Sequence, residues 1–465
     1  MSHRGNSSVE SNFGRNVSFV PAIVARPVNV QEVLDLLDEH QNLPVRAVAS
    51  RHAWSEGIKT SGLLLSLEKI CEIRISENRE TVFVGAGCKI KDLLKYLAVE
   101  GLTLPSVGLI DEQTVAGATA TGTHGSGKHS LSHYVVSVQI AHHDADSGTA
   151  CLTRLDRGDE LKAARCSLGA LGVVVEVELQ VRPSYNVSEY LQRHDSLSRV
   201  LSMEKDCPLQ QFFFMPWSWH FFGQHRKETD HKRSLLAPLY RLYWHVGIDW
   251  GLHLVLYLLA KIVRVRSFLR GFYRFVVPLT IIRNRKVTDD SHKMLTMEHE
   301  LFRHIEIEIF VTRSRLEESL SFLKSALSIF GSSTGNSRNE IGVPDDLHGS
   351  YFHHYPICVR RLLTDDTLIS MSTPSISNDD EDWYAISLIS LEWISKRNGF
   401  FGFADWLAPA MATRFGARCH WGKYFPLDRK TNDVLYPQIE AFRKIAMKFD
   451  PDRRFANDWL EETLL

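Results

Sequence analysis

The stretch VRAVASRHAWSEG, residues 45–57, opens as an apolar run and passes into a loop that carries a single histidine, His52. Branched residues in VRAVAS favour an extended strand, and the polar residues that follow end it. A lone loop histidine is more often a hydrogen-bonding or surface residue than an attachment point, so its meaning rests on its surroundings. Residues 81–87, TVFVGAG, read as a second strand closing on glycines. Directly after it, Ile90, Leu93, Leu94 and Leu97 fall on one helical face. Then comes TVAGATATGTHGSGKHS, residues 114–130. Its glycines and alanines leave the backbone bare enough to approach a phosphate, and its threonines add donors. Residues 169–181, GALGVVVEVELQV, alternate as a half-buried strand before Pro183 breaks the pattern.

Alternating strands, glycine turns and helices predict mixed α and β layers up to a boundary at Pro183. The chain lacks G-x-G-x-x-G behind a strand and lacks G-x-x-x-x-G-K-[ST], so neither a Rossmann site nor a P-loop is indicated. Further on, Ile305, Ile307, Ile309 and Val311 alternate with charged or bulky neighbours, and Leu316, Leu320, Leu323 and Leu327 recur at helical spacing. A second sheet covered by helices is expected there. Residues 331–349 and 364–382 are polar and read as loops, either surface or lid.

Residues 235–282 are the most apolar part of the chain. Their longest charge-free piece, residues 250–260, falls short of the roughly 20 apolar residues a spanning helix needs. Arg266, Arg270 and Arg274 recur every four residues beside Leu, Phe and Tyr, a pattern shared by membrane-surface helices and by core helices with solvated arginines. The two readings stand level.

The 465 residues exceed one ordinary core and favour two or more domains. Lys plus Arg number 54 against 55 Asp plus Glu, which gives no field to attract nucleic acid. Seven scattered cysteines, none in C-x-x-C, argue against a disulfide scaffold or structural zinc and for a reducing compartment. No signal peptide is read at the N-terminus, and the first dozen residues are expected to form a loose tail. Location is expected to be cytoplasmic or peripheral on a membrane, with contact through residues 235–282.

In order along the chain, VRAVASRHAWSEG, VGAG with its helix, VGLIDEQTVAGATATGTHGSG and SLGALGVVVEVELQV resemble the FAD domain of the vanillyl-alcohol-oxidase (PCMH-type) superfamily. The closest resemblance within it is to the aldonolactone oxidases. HYPICVRRLLTDD (residues 354–366), RCHWGK (418–423) and FDPDRRFANDWL (449–460) are similar to that family's HYPVEVR, HWAK or HWGK, and LDP…F.N.YL stretches. The resemblance implies an α+β, two-domain flavoprotein. Residues 1–183 would form an FAD domain of two α/β subdomains, residues 184–424 a substrate cap with an antiparallel sheet under helices, and residues 425–465 a segment returning to the FAD domain.

It further implies that His52 bonds covalently to the flavin 8α-methyl group. The FAD would be cradled by Ala49, Ser50, Arg51, Ala53, Trp54 and Ser55, by Gly108, and by Thr114, Gly117, Ala118, Thr121, Gly122, Thr123, His124 and Gly125, with Val174 near the adenine. Arg51 stands where the family has glycine, and Cys358 where its E-x-R pair has glutamate, with Arg360 kept. A thiol cannot accept a charged hydrogen bond as a carboxylate does, so Cys358 puts the substrate in question.

Alcohol oxidation by a flavin moves a hydride and a proton and builds negative charge, which fixed cations stabilise when water is excluded. Arg360 and Lys423 are the candidates for that role, with Cys358 and Arg360 on the substrate and His420 as a possible proton acceptor. His124 and His129 have a spacing that a metal could use, but no carboxylate joins them, and no metal is expected. The expected reaction oxidises a hydroxyl of an L-gulono-, L-galactono- or D-arabinono-lactone-like sugar and passes electrons to O2 to give H2O2. Two alternatives are a dehydrogenase of a sugar acid or polyol with a quinone or cytochrome acceptor, and a membrane-associated flavin-binding protein without turnover.

Overall fold

The computed structural model describes residues 9–258, 268, 271–277, 281–297, 303–332, 340–374, 381–391 and 397–465. Three main sheets follow one another along the chain. The first is parallel, with β1 (Ile23–Ala25), β2 (Val45–Val48) and β3 (Leu63–Ser66) in the order β1-β3-β2. Helix α1 (Val30–Glu39) crosses from β1 to β2. Its Asn29 cap accepts from the Glu32 amide, and its apolar face buries Val33 and Leu37.

The second sheet is antiparallel, with order β7-β6-β8-β5-β4. It comprises β4 (Ile73–Ile75), β5 (Thr81–Gly85), β6 (Val135–His143), β7 (Ala150–Leu155) and β8 (Val173–Gln180). After β5 the chain passes so close to the end of β3 that a Cβ on Gly87 would lie 1.9 Å from the Leu67 carbonyl oxygen. Only glycine fits there. Helix α2 (Ile90–Val99) follows and buries Ile90, Leu93, Leu94 and Leu97, as the periodicity predicts. Two shorter helices, α3 (Val115–Ala120) and α4 (Gly158–Arg165), complete this layer.

Arg182–Pro183 pairs with Leu102–Thr103, and the third sheet begins at once with β9 (Asn186–His194). Its further strands are β10 (Gln211–Phe214), β11 (Phe221–Thr229), β12 (Val287–Asp290), β13 (Ile305–Thr312), β14 (Ile357–Leu362), β15 (Trp383–Ser390) and β16 (Arg418–Cys419). All pairs are antiparallel, in the order β12-β9-β11-β10-β14-β15-β13-β16. Helices α5 (Leu316–Phe330) and α6 (Asn398–Phe415) pack on one side of it. Leu316, Leu320, Leu323 and Leu327 are all buried on α5.

The chain ends in α7 (Arg429–Leu435), α8 (Ile439–Phe449) and α9 (Asp458–Thr463). Beyond α8 it meets the first sheet, where the Val45 amide donates to Arg454 O at 2.7 Å and the Arg46 guanidinium to Phe455 O at 2.6 Å.

Two expectations need correction. Residues 9–12 are not a loose tail: Glu10–Ser11 pairs with Ser18–Phe19, and Glu10 and Asn12 are buried. Nor are residues 364–374 a surface loop or lid. The Asp365 carboxylate accepts from the Ser130 hydroxyl at 2.7 Å and the Thr367 hydroxyl at 2.8 Å, and Ser370, Ser372 and Thr373 are buried beside it. A polar segment can be interior when its side chains satisfy one another. Residues 333–339 and 375–380 of the two polar stretches lie outside the described residues.

Of the apolar segment, Ala237–Leu242 and 243–258 are helical, as is Phe272–Val276. Tyr240, Leu256 and Tyr273 are buried, while Leu235, Leu239, Leu242, Trp250 and Phe275 are exposed. Arg266 and Arg270 lie outside the described residues. No described helix is long and apolar enough to cross a membrane.

Candidate active site

Strand β2 delivers the chain into the loop at residues 49–55, where Arg51 adopts φ 54°. This is the left-handed conformation that glycine tolerates freely and that costs another residue roughly 1–2 kcal/mol. The N-terminal strand offsets that cost. Glu10 forms an ion pair with Arg51, the Phe13 amide donates to Arg51 O at 2.9 Å, and the Asn12 and Asn16 side chains donate to Ala53 O and Trp54 O, each at 2.8 Å. His52 stacks on Phe13 with centroids 4.7 Å apart, and its Nδ1 donates to Ser50 O at 3.2 Å. Burial lowers its pKa to about 4, so the imidazole is neutral at physiological pH.

This loop forms one wall of a cavity of about 160 Å³. Ala49, Ser50, Arg51, His52, Ala53, Ser55, Thr114, Gly117, Thr121 and Val174 all line it. The other residues expected there do not line it. Trp54 is buried and donates its Nε1 to His304 O at 2.9 Å, and Ala118 is buried on α3. Gly122 lies against the Met371 methyl, Gly108 against Thr123, and Gly125 against Val107 O. Thr123 and His124 face a different cavity. Gly169, Gly172, Phe455 and Trp459 line the cleft although the sequence reading did not single them out; the first two lie in the glycine turn before β8.

The second cavity is larger, about 880 Å³, and reaches the cleft where Gln113, His420 and Lys423 border both. Its inner end is polar. Cys358 on β14, Ser387 on β15 and Glu308 on β13 share one rung of the sheet. Glu308 Oε1 accepts from Ser387 Oγ at 2.6 Å and lies 3.7 Å from Arg360 Nη1 and 3.5 Å from His124 Nε2. Arg360 Nε donates to Gln211 Oε1 at 3.0 Å, and the Lys423 ammonium donates to Glu306 at 2.5 Å while lying 4.4 Å over the Trp54 ring. These cations are enclosed within the sheet rather than paired at the surface.

Burial opposes charge on Glu308, yet His124, His420 and Lys423 hold its carboxyl well below the usual carboxylate range. Cys358 is buried and its thiol is pushed up by that burial, so it is no substitute anion. The carboxylate facing Arg360 comes instead from β13. Glu306 and Glu308 were visible in IEIEIF, but alternation alone reads them as the solvent face. All eight residues of β13 are buried, because one face meets helices and the other the cavity.

His129 does not join His124. It stacks on His133 at 3.9 Å and its Nδ1 donates to Thr364 O at 2.8 Å. Glu308 supplies the carboxylate that the sequence reading did not find beside His124, and His420 completes a cluster whose ligand-type atoms lie within 4.8 Å of one another. Leu94, Leu191, Phe213, Met215, Val277 and Ile281 make part of the larger cavity's lining apolar, beside the charged Glu189, Arg226 and Arg241.

The lining of the small cleft suits FAD in its chemistry. The Arg46 and Arg51 Nε atoms, in residues that line it, are buried without a hydrogen-bond partner among the described residues, and a neutral His52 stands at its edge. The whole chain superposes on a solvent-stable cholesterol oxidase with a TM-score of 0.77 at 15% identity, covering 98% of this chain and 97% of the other. Residues 21–146 match the sequence model of the FAD binding domain. Fold and cleft together define a flavoprotein of the vanillyl-alcohol-oxidase type, an FAD-dependent oxidoreductase acting on CH–OH groups.

Residues 177–463 match the D-arabinono-1,4-lactone oxidase model, and the chain belongs to that family. It is similar to a long-chain alcohol oxidase of an uncultured marine euryarchaeote, 46% identical over 96% of this chain and 95% of the relative. The L-gulonolactone oxidase of Mus musculus is 26% identical over 97% of both chains.

Proposed function

We propose that this enzyme carries FAD covalently on His52, oxidises the hydroxyl of a long-chain, largely apolar alcohol to the carbonyl, and passes the electrons to O2 to give H2O2. The observation that carries this reading is the set of apolar residues, Leu94, Leu191, Phe213, Met215, Val277 and Ile281, that lines the larger cavity together with the Glu308–Arg360 cluster. An alkyl chain along Leu191, Phe213, Met215 and Val277 gains about 0.8 kcal/mol per buried methylene. A sugar lactone has a hydroxyl on nearly every carbon, and each one left unpaired against those side chains would cost about 1–3 kcal/mol. The similarity to a long-chain alcohol oxidase points the same way.

FAD, when bound, supplies the two-electron acceptor. Arg360, steadied by Gln211, and Lys423, tied to Glu306, hold the alcohol oxygen and stabilise charge as it develops there. Trp54 and the sheet exclude water behind Lys423. The exposed Leu235, Leu239 and Leu242 adjoin Pro238, Tyr240 and Trp244 of the cavity wall, which supports peripheral contact with a lipid surface that holds such alcohols.

A sugar-1,4-lactone remains the second reading, favoured by the family and by the polar inner end. Formation of carbonyl product and H2O2 from 1-dodecanol, L-gulono-1,4-lactone and xylitol tests the choice. Turnover of dodecanol well above the other two is expected. Preference for the lactone would give the second reading, product without O2 uptake would indicate a quinone or cytochrome acceptor, and no turnover of any alcohol would leave a flavin-binding protein.

A further inference from the structure

We infer that Glu189, acting through Gln224 and Gln211, is a positioning residue for Arg360, an assignment that rests on the charge-stabilising role proposed for that arginine. Strand register brings the group together. Glu189 on β9 stands opposite Arg226 on β11, Gln224 on β11 opposite Gln211 on β10, and Gln211 opposite Arg360 on β14. With a side-chain period of two, Gln224 and Arg226 share one face of β11, and all five residues line the larger cavity. Hydrogen bonds join them in a row. Glu189 Oε2 accepts from Arg226 Nε at 2.5 Å and from Gln224 Nε2 at 2.8 Å. Gln224 Oε1 accepts from Gln211 Nε2 at 2.6 Å, and Gln211 Oε1 accepts from Arg360 Nε at 3.0 Å. The Cys358 thiol adds a weak donor to that same Gln211 oxygen at 3.8 Å.

The two ends fix the direction of everything between them. Glu189 is ion-paired with Arg226 and also accepts from the Tyr240 hydroxyl, which burial and that carboxylate keep protonated, so both its oxygens act as acceptors. Gln224 must then turn its NH2 group to Glu189, which leaves its oxygen for Gln211. At the other end Arg360 Nε can only donate, and it requires the oxygen of Gln211. Each amide has one orientation that satisfies both neighbours, so neither can turn over without breaking the row. Arg360 is thereby held at Nε by Gln211, while its Nη1 lies 3.7 Å from Glu308 Oε1. Stability alone does not call for this arrangement. Buried ion pairs can often be replaced by apolar residues without loss, and Leu191 and Phe213 already stand on the cavity side of the same strands. What a fully satisfied row of buried polar side chains provides is one fixed direction for the guanidinium at its end.

The experiment is a double-mutant cycle on the holoenzyme, read as the rate of flavin reduction by 1-dodecanol under argon. E189Q and Q224L should each lower that rate about tenfold, because a misplaced charge-stabilising group is costly. The half-saturating dodecanol concentration should change by less than about twofold, since the alkyl chain is bound elsewhere in the cavity. E189D, which keeps the carboxylate, should recover part of the rate. In the R360A background neither E189Q nor Q224L should slow reduction further, the signature of residues that act through Arg360. Q224L keeps the Glu189–Arg226 ion pair and so serves if E189Q does not fold, with flavin absorbance and near-ultraviolet circular dichroism as the check. A crystal structure of Q224L should show Gln211 and the Arg360 guanidinium moved from their wild-type positions. The assignment is overturned if Q224L reduces its flavin at the wild-type rate, if E189Q slows the R360A enzyme by the same factor as the wild type, or if Arg360 keeps its place in the Q224L structure. Should dodecanol fail to reduce the wild-type flavin, the proposed function fails; the cycle is then read with whichever of L-gulono-1,4-lactone and xylitol reduces it, and the crystal structure tests the row without any substrate.

Discussion

The two cavities are built in opposite ways. The small cleft is made largely from two contiguous stretches, the loop after β2 and the residues around α3, with backbone and small side chains as its wall. In the larger cavity the polar groups are gathered from several elements: Glu306 and Glu308 from β13, Arg360 from β14, Ser387 from β15, and His124 from a loop of the FAD-binding layer. A site made from contiguous backbone survives in the sequence as a motif. One made from single side chains on separate strands leaves only isolated letters.

That contrast makes substitutions in the two regions fail differently. The largest effect is expected at His52→Ala, which should abolish covalent attachment, so that acid precipitation releases all flavin into the supernatant. Next, Arg360→Ala and Lys423→Met should keep the flavin attached yet each lower the rate of its reduction by about 10²–10³, as loss of a charge-stabilising donor does. Stopped-flow absorbance under argon reads this. If either variant lost its flavin as well, the separation of cleft from cavity would be wrong.

A narrower test concerns chain length. Met215→Trp should raise KM for dodecanol about tenfold, the cost of losing one or two buried methylenes, while leaving butanol unchanged. Equal effects on both alcohols would mean that Met215 does not lie along the alkyl path. The pH dependence of stability follows from the buried histidines. His353 and His420 have their pKa values lowered to about 3 by burial. Between those values and the ordinary value of 6.5 the unfolded chain binds more protons than the folded one, so stability rises with pH. Thermal midpoints should therefore fall as pH drops from 6.5 toward 4, and His353→Phe should flatten the decline.

The smallest effect is expected at Arg51. Arg51→Gly relieves the left-handed backbone but removes the ion pair with Glu10, so the net change should stay within about 1 kcal/mol by denaturant unfolding. A large loss would show that the guanidinium itself holds the loop.

Much of the scaffold was legible because its signals are local. The spacing of Ile90, Leu93, Leu94 and Leu97 gave α2, and the leucines from 316 to 327 gave α5. Local signals misled where tertiary partners inverted them. Glu306 and Glu308 alternate with isoleucines as a solvent face would, yet they are buried because Lys423, Arg360 and His124 lie opposite. Ser370, Ser372 and Thr373 read as loop surface but close around Asp365. The N-terminal residues carry no periodicity, and their order depends on partners some forty positions away in the flavin loop. Cys358 was marked as a departure from the family pattern, but the carboxylate facing Arg360, two strands along the same sheet, could not be inferred without the strand order.

The central claim joins a flavin held at His52 to a cavity for an apolar alcohol, and mixing the oxidised enzyme with 1-dodecanol under argon tests both at once. Rapid bleaching of the flavin absorbance, saturating at low alcohol concentration and much faster than with L-gulono-1,4-lactone, is the predicted result. Bleaching by the lactone alone, or by neither compound, would contradict it.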